Sequence, residues 1–141
     1  MKYLFDTDHV SIMQRQSGQE FAALAARVVQ HQSEVALCIV SFHEQALGCH
    51  TYLSRARNAG DTVRGYRLLD KILDTFSRSL VLPFDDAAAH VLDELVATRV
   101  RLATMDLRIA SIALSQGLVL LSRNQRDFCK VPGLLVEDWT T

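Results

Sequence analysis

Short apolar runs alternate with longer stretches of helical periodicity along this chain. Residues 2–5 (KYLF) lead straight into Asp6-Thr7-Asp8. Further runs lie at 35–40 (VALCIV), 80–84 (LVLPF), 118–121 (LVLL) and 134–138 (LLVED). Runs this short, without strict alternation, predict strands buried on both faces of a sheet. Pro83 marks the third as ending there or lying at an edge. Between the runs the period changes. Residues 19–31 are Ala-rich and predict a helix. Residues 42–56 carry Phe42, Ala46, Cys49 and Leu53 on one helical face. Residues 62–78 place Tyr66, Leu69, Leu73 and Phe76 together, and 86–99 do the same with Ala88, Val91, Leu92 and Leu95. A helix over 105–116 stops at Gly117.

Strands alternating with helices predict an α/β fold, a mainly parallel sheet of about five strands covered on both sides. The 141 residues fit one domain, 1–141, with 49% apolar and 22% charged positions. The net charge of −1 excludes a global pull toward nucleic acid or anionic lipid, so any such contact must be local. Asp6 and Asp8 interrupt the N-terminal apolar run, which predicts no secretory leader, and no run is long enough to span a membrane. Cys38, Cys49 and Cys129 are odd in number and form no C-x-x-C pair, which predicts reduced thiols and a cytoplasmic setting.

In parallel sheets, ligands bind beyond the carboxyl ends of the strands. The acids that follow strands or open helices are Asp6, Asp8, Glu44, Asp85, Asp86, Asp106 and Asp127, with Asn124 close to the last. Carboxylates gathered at one sheet end suit a hard divalent cation, Mg²⁺ or Mn²⁺. Each also has a structural use. Ser41-x-x-Glu44 has the form of a capping box. Asp8 can cap the first helix, Asp85 or Asp86 a later one, and Asp106 offsets a helix dipole. The histidines offer less. His43-Glu44 begins a zinc-protease motif that fails at Leu47, and His9, His31, His50 and His90 lack metal spacing and are expected at or near the surface.

Residues 4–10 (LFDTDHV) resemble the opening of haloacid-dehalogenase-type phosphatases, with Ser41, Lys71 and Asp85-Asp86 in that family's order. That scheme gives the last third of the chain no role. The full length resembles PIN-domain ribonucleases, and more narrowly VapC-type toxins of bacterial toxin–antitoxin pairs. The resemblance rests on Asp6-Thr7-Asp8 after a strand, and on Ser41, Glu44 and Gly48. It continues with Asp106 opening a helix with Ala110 and Ala113, and with Ser122, Asn124, Asp127 and Phe128. It closes on Val131, Pro132, Gly133, Leu134, Asp138 and Trp139. Asp8 stands where the family usually has Asn, and Ser122 where it has Thr.

The resemblance implies a three-layer α/β/α fold and a Mg²⁺- or Mn²⁺-dependent endoribonuclease that inhibits translation and growth. Its catalytic residues would be Asp6, Glu44, Asp106 and Asp127. Its metal ligands would be Asp6, Glu44, Asp106, and either Asn124 or Asp127 as the fourth. It implies an RNA substrate, a homodimer and a VapB-like antitoxin that masks the site. Gly48 shares a helix face with Glu44 and is expected to leave room for cation and phosphate. Arg123 and Arg126 flank the acids and are expected to meet RNA phosphates. Six basic residues over 55–78 against three acids offer a second patch. A catalytically silent RNA- or partner-binding module is the alternative of a different class.

Overall fold

The computed structural model describes residues 1–141. Five strands, β1 (Tyr3–Phe5), β2 (Val35–Cys38), β3 (Val81–Leu82), β4 (Val119–Leu121) and β5 (Val136–Glu137), form one sheet in the order β3-β2-β1-β4-β5. All four pairings are parallel. Seven helices join and cover them: α1 (Thr7–Arg15), α2 (Gln19–Gln30), α3 (Ile39–Ser54), α4 (Ala59–Ser77), α5 (Asp86–Ala97), α6 (Thr104–Gln116) and α7 (Gln125–Phe128).

The sheet divides two cores. Leu4, Ala36, Cys38 and Leu120 face one way, onto Ala88 and Leu95 of α5 and Ile109, Ala110, Ile112 and Ala113 of α6. Tyr3, Phe5, Leu37, Val119 and Leu121 face the other, onto Val10 and Ile12 of α1, Leu24 of α2, Cys49 of α3, and Ile72 and Phe76 of α4. Residues of β1 therefore alternate between two buried faces, which is why its sequence reads as an unbroken apolar run. The chain winds outward from β1 through β2 to β3, then returns to the opposite side of β1 as β4. That reversal puts a crevice at the carboxyl ends of β1 and β4.

Several expectations change in detail. The run at 35–40 splits: Cys38 is extended at φ −133° and ψ 160°, and helix α3 starts at Ile39. An apolar run does not distinguish a strand from the buried first turn of a helix, where Val40 sits. Of the expected Tyr66, Leu69, Leu73 and Phe76 face of α4, only Phe76 reaches the core; the first three side chains are 57%, 37% and 63% exposed. The inward face is Gly65, Ile72 and Phe76 instead. Gly65 is there because α3 lies against it: a Cβ would come within 2.3 Å of Leu53 Cδ2. Helix α7 is not expected from the sequence, and of α1 only a capping acid is, without bounds. Gly117 ends α6 as expected, in the left-handed conformation at φ 66°.

Candidate metal-dependent nuclease site

Strand β1 delivers Asp6 to the crevice. The Asp6 amide donates to the Leu121 carbonyl of β4 at 3.0 Å, so the residue belongs to the sheet ladder. Its carboxylate caps α1, with Oδ1 accepting from the His9 amide at 3.2 Å. The cap of the first helix is thus Asp6, not Asp8. Asp8 lies in the first turn, half-buried, and Asp6 and Asp8 stand side by side.

Two acids this close do not both ionise readily. Burial pushes the Asp6 carboxyl up to about 9, helped by the hydrogen bond to Asp8 and the Asp8 charge. Burial also works against ionisation of Asp8. Hydrogen bonds from His9 and Asp6 and the charge of Arg123 outweigh it and hold Asp8 well below the usual carboxylate range. The pair therefore favours a single negative charge over two.

The other acids arrive from three more elements. Glu44 projects from α3, and Oε1 accepts the Thr7 hydroxyl proton at 2.5 Å. Thr7 also hydrogen-bonds Ser41 Oγ at 3.1 Å. Ser41 is fully buried inside α3 and caps nothing; Cys38 is the capping position. The capping-box reading therefore gives way to a link between α1 and α3 that sets Glu44 beside Asp6-Thr7-Asp8. Asp106, in the first turn of α6, is raised by burial and by the charges of Glu44, Asp127 and Asp8. One carboxyl that feels acids from α3, α7 and α1 lies where they converge. Ser122, at the end of β4, hydrogen-bonds Asp6 and accepts the Asn124 amide at 2.9 Å. Asn124 Nδ2 then donates to Asp127 Oδ2 at 3.0 Å. That bond is the main reason Asp127 is held low, with Lys130 and Arg126 adding to it.

Asp8, Glu44 and Asp127 therefore bring their charges to bear on Asp106. Asp6 is buried, while Asp8, Glu44, Asp106 and Asp127 are partly exposed. The basic groups paired with them are Arg123, 3.4 Å from Asp8 Oδ2, and Lys130, 3.4 Å from Asp127 Oδ1. Carboxylate oxygens in excess of cations, one retaining its proton as a result, fit a hard divalent cation. The tightest group of potential ligand atoms is Asp6, Asp8 and His9, all within 4.8 Å of one another. His9 is not a surface residue, as its sequence context suggested; it is fully buried. Both its ring nitrogens are already hydrogen-bonded, so it is not a ligand.

Other expected roles fall elsewhere. Gly48, one turn after Glu44, is exposed and lines a cleft of about 330 Å³ with Ser11, Gln14, Gln45 and Lys71, whose walls carry no site acid. Arg123 donates to Glu20 at 2.8 Å as well as to Asp8, so it braces α2 against the site. Arg126 is exposed on α7. The phosphatase-like order does not assemble: Asp85 caps α5 through the Ala88 amide at 3.0 Å, and Lys71 lines clefts without a site acid on their walls. On α4, Arg64 pairs with Asp61 and Arg78 with Asp74, which reduces the basic patch.

A parallel five-stranded sheet between helical layers, with an acid at the end of its central strand, defines a PIN-like α/β/α protein. No protein-family model matches the sequence. A curated relative, the tRNA(fMet)-specific endonuclease VapC of Salmonella typhimurium, is 31% identical over 111 residues, covering 76% of each chain. The fold is similar to that of DNA-bound VapBC from Salmonella typhimurium, with a TM-score of 0.78, 24% identity, and 99% and 98% of the two chains covered. It is also similar to VapBC-1 from nontypeable Haemophilus influenzae, with a TM-score of 0.76, 22% identity and full coverage of both. The chain belongs to the VapC family.

Proposed function

We propose that this single-domain chain is a divalent-metal-dependent endoribonuclease, the toxin of a toxin–antitoxin pair. The observation that carries the proposal is the convergence of acids from α1, α3 and α7 (Asp8, Glu44 and Asp127) on Asp106 of α6, with Thr7 linking Glu44 to the Asp6-Thr7-Asp8 turn. The relative named as a tRNA-specific endonuclease supports RNA as the substrate. The similar VapBC complexes support a VapB-like antitoxin as the partner that masks the site, and the resemblance to VapC toxins supports a homodimer.

In this reading Asp6, Glu44 and Asp106 hold Mg²⁺ or Mn²⁺, with Asp127 or Asn124 completing the set. A bound cation would supply Lewis acidity toward a phosphodiester oxygen and the attacking water. The chain's own residues prepare that chemistry. Asp6 would hold the cation as the carboxylate, its proton passing to solvent. Thr7 fixes the rotamer of Glu44, and Asn124 turns Asp127 toward the acids. Asp106, half-buried and raised by burial and by the charges of Glu44, Asp127 and Asp8, is the acid we assign to proton exchange with the reacting water. Arg123 and Arg126 meet the flanking phosphates. No helix is long and apolar enough to cross a membrane, in keeping with work in the cytoplasm.

The test is cleavage of total RNA by purified protein in Mn²⁺, Mg²⁺ or EDTA, with Asp6→Ala and Asp106→Ala alongside and a phosphomonoester as counter-substrate. Metal-dependent cutting that falls at least a hundredfold in both variants is expected. Full-rate cutting by either variant would falsify its assignment. Phosphomonoester turnover with intact RNA would return the chain to the phosphatase reading.

A further inference from the structure

His9 is among the most fully enclosed polar side chains of the protein, with 0% exposure, and it touches the site without being free to ligate. Its Nδ1 lies 2.8 Å from Asp8 Oδ1. Its Nε2 accepts the backbone N–H of Trp139 at 3.2 Å. A backbone N–H can only donate, so Nε2 carries a lone pair and the neutral ring has its proton on Nδ1, directed at Asp8. Asp8 is then held at both oxygens: Oδ1 by His9 and Oδ2 by Arg123 at 3.4 Å.

The far end of this linkage is equally fixed. Trp139 is 1% exposed and packs against Tyr3 at 4.6 Å and His31 at 5.1 Å between ring centroids. Asp138 Oδ1 accepts from the Thr140 amide and hydroxyl at 2.8 and 2.6 Å, which closes the turn around the Trp139 amide. The C-terminal segment therefore presents one oriented N–H to the ring.

We propose that His9 is a positioning residue, which aligns the Asp8 carboxylate beside Asp6 for the cation and makes that alignment depend on the docked C-terminal segment. The proposal rests on the reading of the acids as a divalent-metal site. Outer partners of this kind govern metal affinity by about 10- to 100-fold when removed. The imidazole selects which Asp8 oxygen faces the site and keeps the other from swinging toward solvent.

Two substitutions separate alignment from support of the fold. His9→Asn places an amide N–H near the Nδ1 position and loses the acceptor for Trp139. His9→Gln keeps an acceptor near Nε2 and loses the donor to Asp8. Mn²⁺ affinity, read by titration calorimetry or electron paramagnetic resonance, and thermal stability are measured on both and on wild type. The expected pattern is crossed. His9→Asn binds Mn²⁺ within about twofold of wild type but melts lower, whereas His9→Gln melts nearer wild type but binds about tenfold more weakly. Affinity that follows melting temperature in the same order overturns the proposal, because His9 then serves the fold alone. Wild-type protein that binds no Mn²⁺ overturns the metal reading and this proposal with it, so the two failures are distinct. The ¹⁵N shifts of the wild-type ring need no variant to fold. A proton on Nδ1 is expected, and a proton on Nε2 overturns the arrangement outright.

Discussion

Asp6 is 6% exposed, yet it ends a strand whose other residues are apolar. Burial and the neighbouring Asp8 push its carboxyl up to about 9. In an unfolded chain the group ionises near the ordinary aspartate value, so from about pH 4 to 9 the folded state holds a proton that the unfolded state has lost. The metal-free protein should accordingly lose stability as pH rises through that window. Asp106, also raised, contributes in the same direction. Asp8 acts oppositely: its depressed carboxyl stabilises the fold above the ordinary aspartate value and loses that contribution on acidification below it. Melting temperatures in EDTA should therefore fall between pH 5 and pH 8.5, and Asp6→Asn should flatten the slope and melt higher at pH 8.5. A slope unchanged by the substitution would assign the pH response elsewhere. A cation held by Asp6 would displace its proton, so in the proposed reading Mn²⁺ affinity should rise over the same range in wild type. The acids themselves were legible as types in positions: Asp6 after a buried run, Asp106 at a helix start, Glu44 after the second strand. What holds them was not. Thr7 bonds Glu44 across 37 residues, and His9 bonds Trp139 across 130. Periodicity carries no information about either.

Among the elements, the pairing of α3 with α4 rests on a glycine. A Cβ at Gly65 would meet Leu53 Cδ2 at 2.3 Å and Cγ at 2.8 Å, with Tyr52 Cδ1 at 3.2 Å on the other side. Leu53 packs against the core of this layer and has little room to give. Gly65→Ala should lower stability by about 1–3 kcal/mol despite its better helix propensity. A urea midpoint equal to or above wild type would show that the helices can part without penalty. The loss should leave RNA cutting intact at temperatures where the variant is folded, because α4 supplies none of the site's acids. This contact explains an error of the sequence reading. Tyr66, Leu69 and Leu73 share a helical period with Phe76 and so looked like the inward face, but only Phe76 points inward. The helix turns the other way because only the Gly65 face lets α3 approach closely. Strands were legible as double-sided apolar runs. Helix α1 was not, because its cap is a site acid. Helix α7 is a single turn, too short for a period to register.

For the whole molecule, the net charge of −1 leaves recognition of a polyanion to local geometry. The site is itself acidic, so RNA must be drawn by whatever cations remain unspent around it. Arg123 is bonded to Glu20 and Asp8, Lys130 to Asp127, Arg64 to Asp61 and Arg78 to Asp74. Arg126, exposed one residue before Asp127, has no carboxylate within ion-pairing distance of its side chain and sits on the site's rim. In an Asp106→Asn background, where RNA is held without being cut, Arg126→Glu should weaken binding severalfold. It should also reduce the slope of log affinity against log salt by about 0.7, the value for one phosphate contact on a single strand. Arg123→Glu should behave differently. It removes the brace on Asp8 and Glu20 as well as a charge, so it should weaken Mn²⁺ affinity in the absence of RNA. Filter binding across a KCl series separates the two. Equal salt slopes in wild type and Arg126→Glu would move the phosphate contacts to the remaining basic residues of α4 and the turn before it. A changed slope would place the RNA across the partly exposed acids, over Asp127 and Asp106.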